Sequence, residues 1–566
     1  MSGAAVNPFG YFVLNSLWLF GGAKAALKFR RALRQPRESQ EAILFSVLRQ
    51  NAGTRYGRTY RFHRLHTIRD YQNAVPIIGF DALTEEIAAI KAGRQSVLTE
   101  EPVLALERTS GSTAAAKYVP YTARLLREFQ AAIGPWMADL YCHRPEMLSG
   151  GAYWSVSPLA SGPELTEGGL PVGFADDTEY FGGFGRRLLA RLVITPPELP
   201  KISNLEASRY TMLRFLLATP HLTFISVWNP SFLTLLMDAL EENFEPLLGD
   251  VKEGTLTPPS PLPPNIHAAL CEKLVALPKR AQKLQGIFKE HGTLPPAEIW
   301  PRLRVISCWA DAGASFFIPE LQRYFPGVEI QPKGLLATEG VVSLPLTGHP
   351  GAALAITSHF FEFLDEEKPD AQPLLADELD EGSTYSVLLT TGGGLYRYRL
   401  GDRVRVVGRA AATPLVEFVG RSEDTSDLCG EKLHEAFVRG VLHEVLDEFR
   451  IAPLFAMLAP EWGTPPGYVL FLEAMNVTPE LMSKLVSRLE EELFAGTHYA
   501  YCRRLGQLSP LRGVRIVSGG NRGYLARCAR MGQRLGNIKP TALHRQTGWS
   551  EWYHAMSSQT DSSETK

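Results

Sequence analysis

The chain is poor in the features that announce a function at sight. Its 566 residues include only six cysteines, Cys142, Cys271, Cys308, Cys429, Cys502 and Cys528. They are spread without a Cys-x-x-Cys pair or clustered histidines, which argues against a zinc site or a disulfide framework and leaves buried reduced thiols. There is no G-x-S-x-G elbow, no H-E-x-x-H and no G-x-G-x-x-G opening a helix after a strand, so the commonest hydrolase, metalloprotease and dinucleotide signatures are missing. An excess of either charge is missing too. A formal net charge of -2 and a pI near 6.7 give no electrostatic footprint for nucleic acid or an anionic membrane, and neither partner is indicated. No long hydrophobic run exists either. The most apolar stretch, Phe9 to Ala23, is broken by Asn15 and Ser16 and falls short of the roughly 20 apolar residues that span a bilayer. Its basic residues, Lys24, Lys28, Arg30 and Arg31, follow the apolar part, the reverse of a signal peptide. It reads as a packed or interfacial helix of a cytoplasmic protein.

What is present is ordinary globular material, with 45% hydrophobic and 21% charged residues at a mean hydropathy of -0.07. The length exceeds what one core supports and predicts a large domain plus a smaller one. Apolar spacings of three and four predict helices over Gln40 to Arg49 and Leu125 to Leu140. Short β-rich runs at Val103 to Leu106, Leu303 to Ser307, Tyr385 to Thr390 and Val404 to Val407 lie among them. This alternation predicts an α/β domain on largely parallel sheet. Residues 253–265 hold five prolines and read as an irregular connection. A boundary falls at VGRSED, residues 419–424, beyond which an amphipathic helix from about Glu431, a strand over Tyr468 to Glu473, a helix over Pro479 to Phe494 and a strand near Val514 to Val517 predict a small α+β domain. The expected division is 1–419, a hinge at 420–425, a mobile domain at 426–550 and a disordered tail at 551–566.

Chemistry first surfaces at RTSGSTAAAKYVP, residues 108–120. Thr109, Ser110, Ser112 and Thr113 offer hydroxyl donors, Gly111 allows close backbone approach, and Lys117 brings positive charge, a set suited to nucleotide phosphates although it is not the Walker sequence. Alone, it reads more readily as an ordinary Ser/Thr/Gly loop. It is followed in order by AGAS from Ala312, LLATEG from Leu335, YRLGD from Tyr398 and GRSEDTSDLCGEKL from Gly420. Taken together, these segments resemble the adenylate-forming superfamily. LYRYRLGD from Leu395, VWNPSFLTLL from Val227, CWADAG from Cys308 and GQRLGNIKP from Gly532 resemble its auxin-responsive acyl-acid amido synthetase branch, over roughly residues 51–545.

The resemblance implies a large multi-sheet α/β N-terminal domain with a mobile smaller α+β C-terminal domain, the adenylate-forming fold. It implies that Thr109, Ser110, Gly111, Ser112, Thr113 and Lys117 wrap the phosphates of ATP, that Ala312, Gly313 and Ala314 border the nucleotide, and that Thr338 meets phosphate or acyl oxygens. Glu339 would hold Mg²⁺, an ion that keeps most of its waters and needs few protein ligands. Asp402 would take both ribose hydroxyls, a task for an acceptor with two oxygens; Arg421 would approach the ribose or phosphate; and Lys539 would offer charge to the phosphorus as pyrophosphate leaves. A loop-capping aspartate, a hinge ion pair and a solvated lysine are the plainer readings of Asp402, Arg421 and Lys539. Trp228, Phe232, Trp309 and the stretch Tyr210 to Leu217 are acyl-pocket candidates on the same ground. Ala114 to Ala116 stand where relatives carry glycines, and Leu335 where many carry an aromatic residue. The implied activity is ATP-dependent activation of a carboxylic acid, then transfer to an amine, usually of an amino acid, by a monomer that neither spans a membrane nor binds nucleic acid. A coenzyme A ligase and a nucleotide-binding scaffold without turnover are the alternatives.

Overall fold

A computed structural model describes residues 7–109, 117–155, 164–173, 188–366, 368, 371–421, 425–426, 428, 431, 433–531, 533 and 538–561. The chain forms two compact units. The first comprises Met1–Trp228, Phe232–Trp309 and Gln322–Phe418; the second comprises Asn229–Ser231, Ala310–Leu321 and Val419–Lys566.

The first unit opens with a helix over Pro8–Ala32, longer than its apolar stretch. Proline at the first helical position and Asn7 accepting from the Gly10 amide start it. One face is fixed: Tyr11, Asn15, Phe29 and Ala32 are buried, and the Asn15 amide donates to the Leu148 and Gly150 carbonyls at 2.7 and 3.0 Å. Gly22 and Gly134 let this helix approach the one over Ala123–His143, where Trp18 meets Tyr141 edge to face.

Three larger sheets follow. Gly151–Trp154, Leu222–Ser226, Val305–Cys308 and Glu329–Pro332 neighbour one another in that order, all parallel. A six-stranded sheet is ordered Ser343–Pro345, Ala352–Leu354, Thr413–Arg421, Tyr398–Ala410, Thr384–Thr390, Phe360–Asp365, and its described pairings are antiparallel. Val103–Thr109 pairs antiparallel with Lys117–Thr122 and parallel with Pro171–Val172. The expectation of largely parallel sheet therefore holds for one sheet of the three. The reason is local: Thr384–Thr390, Tyr398–Ala410 and Thr413–Arg421 follow one another through connections too short for the crossover that parallel neighbours require, whereas helices lie between consecutive strands of the parallel sheet.

In the second unit Pro453–Glu461, Gly467–Ala474 and Arg512–Arg515 form a three-stranded sheet. Its alternation serves two cores. Leu458, Tyr468, Leu470 and Leu472 face the helices over Glu435–Glu448 and Pro479–Leu493, while Phe455, Met457, Ala459, Val469 and Phe471 pack with Tyr524, Cys528, Ile538, Trp549 and Tyr553. The last contacts correct one expectation. Residues 551–561 are not a disordered tail but part of a helix over Trp549–Asp561. Trp549 and Tyr553, one turn apart, are buried: Trp549 stacks on Tyr524 at 5.5 Å with Arg527 over its ring at 4.4 Å, and Tyr553 donates to the Gly520 carbonyl. Residues 562–566 lie outside the described residues. The thiols also differ in part: Cys308, Cys502 and Cys528 are buried, but Cys271 is half-buried and Cys142 exposed.

Candidate active site

Parallel strands place the residues after their carboxyl ends at one edge, where open α/β sheets gather ligands. Here that edge carries Ser226, Trp228, Cys308, Trp309 and Lys333. The Trp309 amide donates to the Trp228 carbonyl, and the two indoles sit 5.7 Å apart. Both are half-buried. Lys333 lies beside them, fully buried. Its Nζ donates to Ser226 Oγ at 2.6 Å and stands 5.2 Å from the ring centres of both Trp136 and Trp228. Trp136 is itself oriented, its Nε1 donating to Gln331 Oε1 at 2.9 Å. Burial lowers the Lys333 pKa to about 7. Sequence reasoning passed this lysine over; the available signal was a charge at the end of a strand, two residues ahead of LLATEG.

Thr338 and Glu339 are the two turn residues of a hairpin in which Leu336 pairs with Val341 and Ala337 with Gly340. The turn is held from beneath. Tyr121 Oη donates to the Thr338 carbonyl at 2.5 Å. A Cβ on Gly340 would stand 2.8 Å from His359 Nε2, so only glycine fits there undisturbed. The Val341 amide donates to that same Nε2 at 3.1 Å, which leaves Nδ1 as the protonated nitrogen, donating to Glu128 Oε2 at 3.0 Å. Glu128 also accepts from the Gly392 amide at 2.8 Å and from Arg124 Nε at 3.0 Å. The buried Glu128–His359 pair thereby ties the hairpin to the loop ahead of LYRYRLGD. Glu339 is 7% exposed.

Asp402 sits in an irregularity of its strand. Ser386 faces Arg403 and Leu388 faces Arg399, so residues 400–402 bulge out of register, with Gly401 at φ +83° supplying the left-handed turn. Bulges of this kind re-aim a side chain. Asp402 is 2% exposed and has bonding partners of its own. Upstream, Arg397 adopts φ +47° and is held by a buried ion pair: its Nε reaches both oxygens of Glu362 at 3.2 and 3.0 Å, and its Nη1 donates to the carbonyls of Gln72 and Val75.

The remaining predicted residues divide as follows. Ser110, Gly111, Ser112 and Thr113 lie outside the described residues, as do Ala114 to Ala116. Thr109 and Lys117, which flank them, pair directly across two strands. Lys117, Thr338, Glu339 and Asp402 belong to the first unit, Ala312, Gly313, Ala314, Arg421 and Lys539 to the second. Within the second unit, Ala312, Gly313 and Ala314 begin a 3₁₀ helix over Ala312–Phe317, with Ala314 buried. Arg421 ends a strand. The Lys539 side chain is exposed, while its carbonyl accepts from Tyr524 Oη at 2.7 Å. Leu335 is buried in the core of the first unit. Tyr210 donates to Asp250 Oδ2 at 2.7 Å in a buried cluster, which gives the Tyr210 to Leu217 helix a structural task.

The fold is that of the solved acyl acid amido synthetase structures. The chain is similar to the solved structure of AtGH3.15 acyl acid amido synthetase in complex with 2,4-DB, with a TM-score of 0.81 at 18% identity over 94% of this chain and 96% of that one. Family models match it in three successive parts: the GH3 family N-terminal domain over residues 25–330, the central domain over 352–421 and the C-terminal domain over 438–547. The chain belongs to the GH3 family. Its relatives include a probable indole-3-acetic acid-amido synthetase, GH3.12, of Oryza sativa subsp. japonica, 26% identical over 69% of this chain and 70% of the relative. Another is jasmonoyl--L-amino acid synthetase JAR6 of Nicotiana attenuata, 24% identical over 88% of this chain and 90% of the relative.

Proposed function

We propose that this chain activates a carboxylic acid with ATP and transfers the acyl group to the amine of an amino acid, releasing AMP. The observation that carries the reading is the match to all three GH3 family models in order. In the first half-reaction a carboxylate oxygen of the acid attacks the α-phosphorus, the bond to the β-phosphate oxygen breaks, and pyrophosphate leaves. Lys117 and Lys539 offset the charge that develops. Thr109 to Thr113 cradle the phosphates, Thr338 orients phosphate or acyl oxygens, Asp402 holds the ribose, Arg421 approaches it, and Ala312 to Ala314 border the nucleotide. In the second half-reaction the neutral amine nitrogen attacks the acyl carbonyl, the carbon–nitrogen bond forms, AMP departs with the bridging oxygen, and the nitrogen loses a proton to water. Residues 420–425 are the hinge for a smaller domain, 426–550, that serves the two half-reactions in turn.

Glu339 suits Mg²⁺. It is a single carboxylate at the tip of a turn braced by Tyr121 and His359, and among the described residues no group of three or more acidic, His or Cys side chains forms a complete metal cage. An ion that retains its waters and shares phosphate oxygens needs only such a ligand. When bound, the ion would neutralise phosphate charge. The protein is read as a cytoplasmic monomer, and among its described residues no helix is long and apolar enough to cross a membrane.

The test is ATP–pyrophosphate exchange against a panel of aryl, indole and fatty carboxylic acids with Mg²⁺ present, followed by AMP release on adding each amino acid or coenzyme A. Acid-dependent exchange with release by an amino acid is expected. Release by coenzyme A alone would replace the amide reading with a thioester ligase. ATP binding without exchange across the panel would leave a scaffold.

A further inference from the structure

The helix over Pro8–Ala32 is amphipathic in an unusual sense. Its inner face is anchored by Tyr11, Asn15, Phe29 and Ala32, yet its outer face is not polar. Phe9 and Phe20 are 75% and 82% exposed, and Phe12, Val13, Leu17 and Leu27 are exposed with them. At about 100° per residue these six lie within roughly 140° of arc, opposite the buried set. The same arc, extended by about 20°, takes in Lys24, Lys28 and Arg31, with Arg30 and Arg34 alongside, all exposed. Between Met1 and Arg37 the sequence contains six basic residues and no acidic one. Arg37 alone among them turns back onto the fold, bonding to Asp377 and Glu378.

We propose that this face seats the protein on an anionic lipid surface, the helix lying in the interface plane. Phenylalanines and aliphatics that enter the headgroup boundary, flanked by lysines and arginines whose stems lie along it while their charges meet lipid headgroups, are what an interfacial helix requires. The whole-chain charge of -2 concealed this. Fields fall off within about 10 Å at moderate ionic strength, so a local cluster is felt where the molecular average is not. Charge also chooses among occupants. A two-fold partner copy would press Lys24, Lys28 and Arg31 against their own kind, whereas an anionic bilayer meets both the apolar and the basic residues. The inference is independent of the adenylation reading.

The experiment is flotation of the full chain with vesicles of phosphatidylcholine alone or with about a third phosphatidylserine, at low and high salt. The expected result is at least tenfold more protein on the anionic vesicles, reversed by salt. Phe9→Ser with Phe20→Ser should abolish partition, and Lys24→Gln with Lys28→Gln should reduce it severalfold and flatten its salt dependence. Unchanged circular dichroism and an unchanged thermal unfolding midpoint would show that both variants fold. Absence of partition at low salt, or equal partition by the variants, overturns the proposal. A dimer in light scattering that the double serine variant dissociates, without vesicle binding, overturns it in favour of self-association.

Discussion

Lys333 offers the sharpest test of the physical picture. Its ammonium is fully buried with one oxygen, Ser226 Oγ, for company and two indole faces at 5.2 Å, so desolvation dominates and the pKa falls from 10.5 to about 7. The sign follows from proton counts. Between those two values the unfolded lysine carries a proton that the folded one lacks, so stability rises with pH through this window, and the penalty is at its fullest below pH 7. At 1.36 kcal/mol for each tenfold change, the penalty is about 2 kcal/mol at pH 9 and nearly 5 kcal/mol at pH 6. Lys333→Met keeps the length and volume, removes the charge, and leaves the Ser226 hydroxyl to find another partner at a cost of about 1 kcal/mol. That cost does not vary with pH. Urea unfolding of both proteins from pH 6 to pH 9, followed by intrinsic fluorescence of the first unit, should therefore show the variant's relative stability declining by roughly 2–3 kcal/mol as pH rises. Other titrating groups are common to both and cancel. A difference constant to within about 0.5 kcal/mol would refute the claim that burial governs this lysine.

Three further outcomes are expected. Asp402→Ala should cut acid-dependent ATP–pyrophosphate exchange at least a hundredfold; full exchange would remove its ribose role. Gly340→Ala must displace His359 or Leu389, which a new Cβ would meet at 2.8 and 3.0 Å; a loss of about 1–3 kcal/mol in stability, with a raised KM for ATP, is the result to look for in denaturant titration and exchange assays. Trp549→Ala should destabilise the second unit by about 3–5 kcal/mol, whereas Trp549→Phe costs far less. The indole Nε1 is buried without a hydrogen-bond partner, so the ring's packing and its contact with Arg527 are what is at stake. Equal losses for the two substitutions in calorimetry would show that assignment to be mistaken.

The legible part of the protein was what short-range pattern controls. The helices over Pro36–Gln50 and Ala123–His143 and the strands near Val103, Tyr385 and Tyr468 follow from spacings of three, four and two, which depend only on neighbours along the chain. The ordered motifs LLATEG, YRLGD and GNIKP likewise identified the family, because chemistry fixes residue types as well as shape. Antiparallel pairing in the six-stranded sheet was not legible from strand content, since alternation is silent on direction. The helix at Trp549–Asp561 was obscured by a polar end whose composition outweighed two aromatic anchors. Lys333 with Ser226, the Glu128–His359 pair and the Arg397–Glu362 pair join residues 35 to 231 positions apart, and their burial is reported by no local signal.

By itself, then, the sequence determined the family and the local elements, because ordered motifs and short-range spacings are read along the chain whatever surrounds them. Tertiary structure alone decided which charges are buried and which apolar residues are left outside. Lys333 titrates near neutrality and Phe20 faces water for the same reason: burial is a property of packing between distant segments, and it sets the free energy of both.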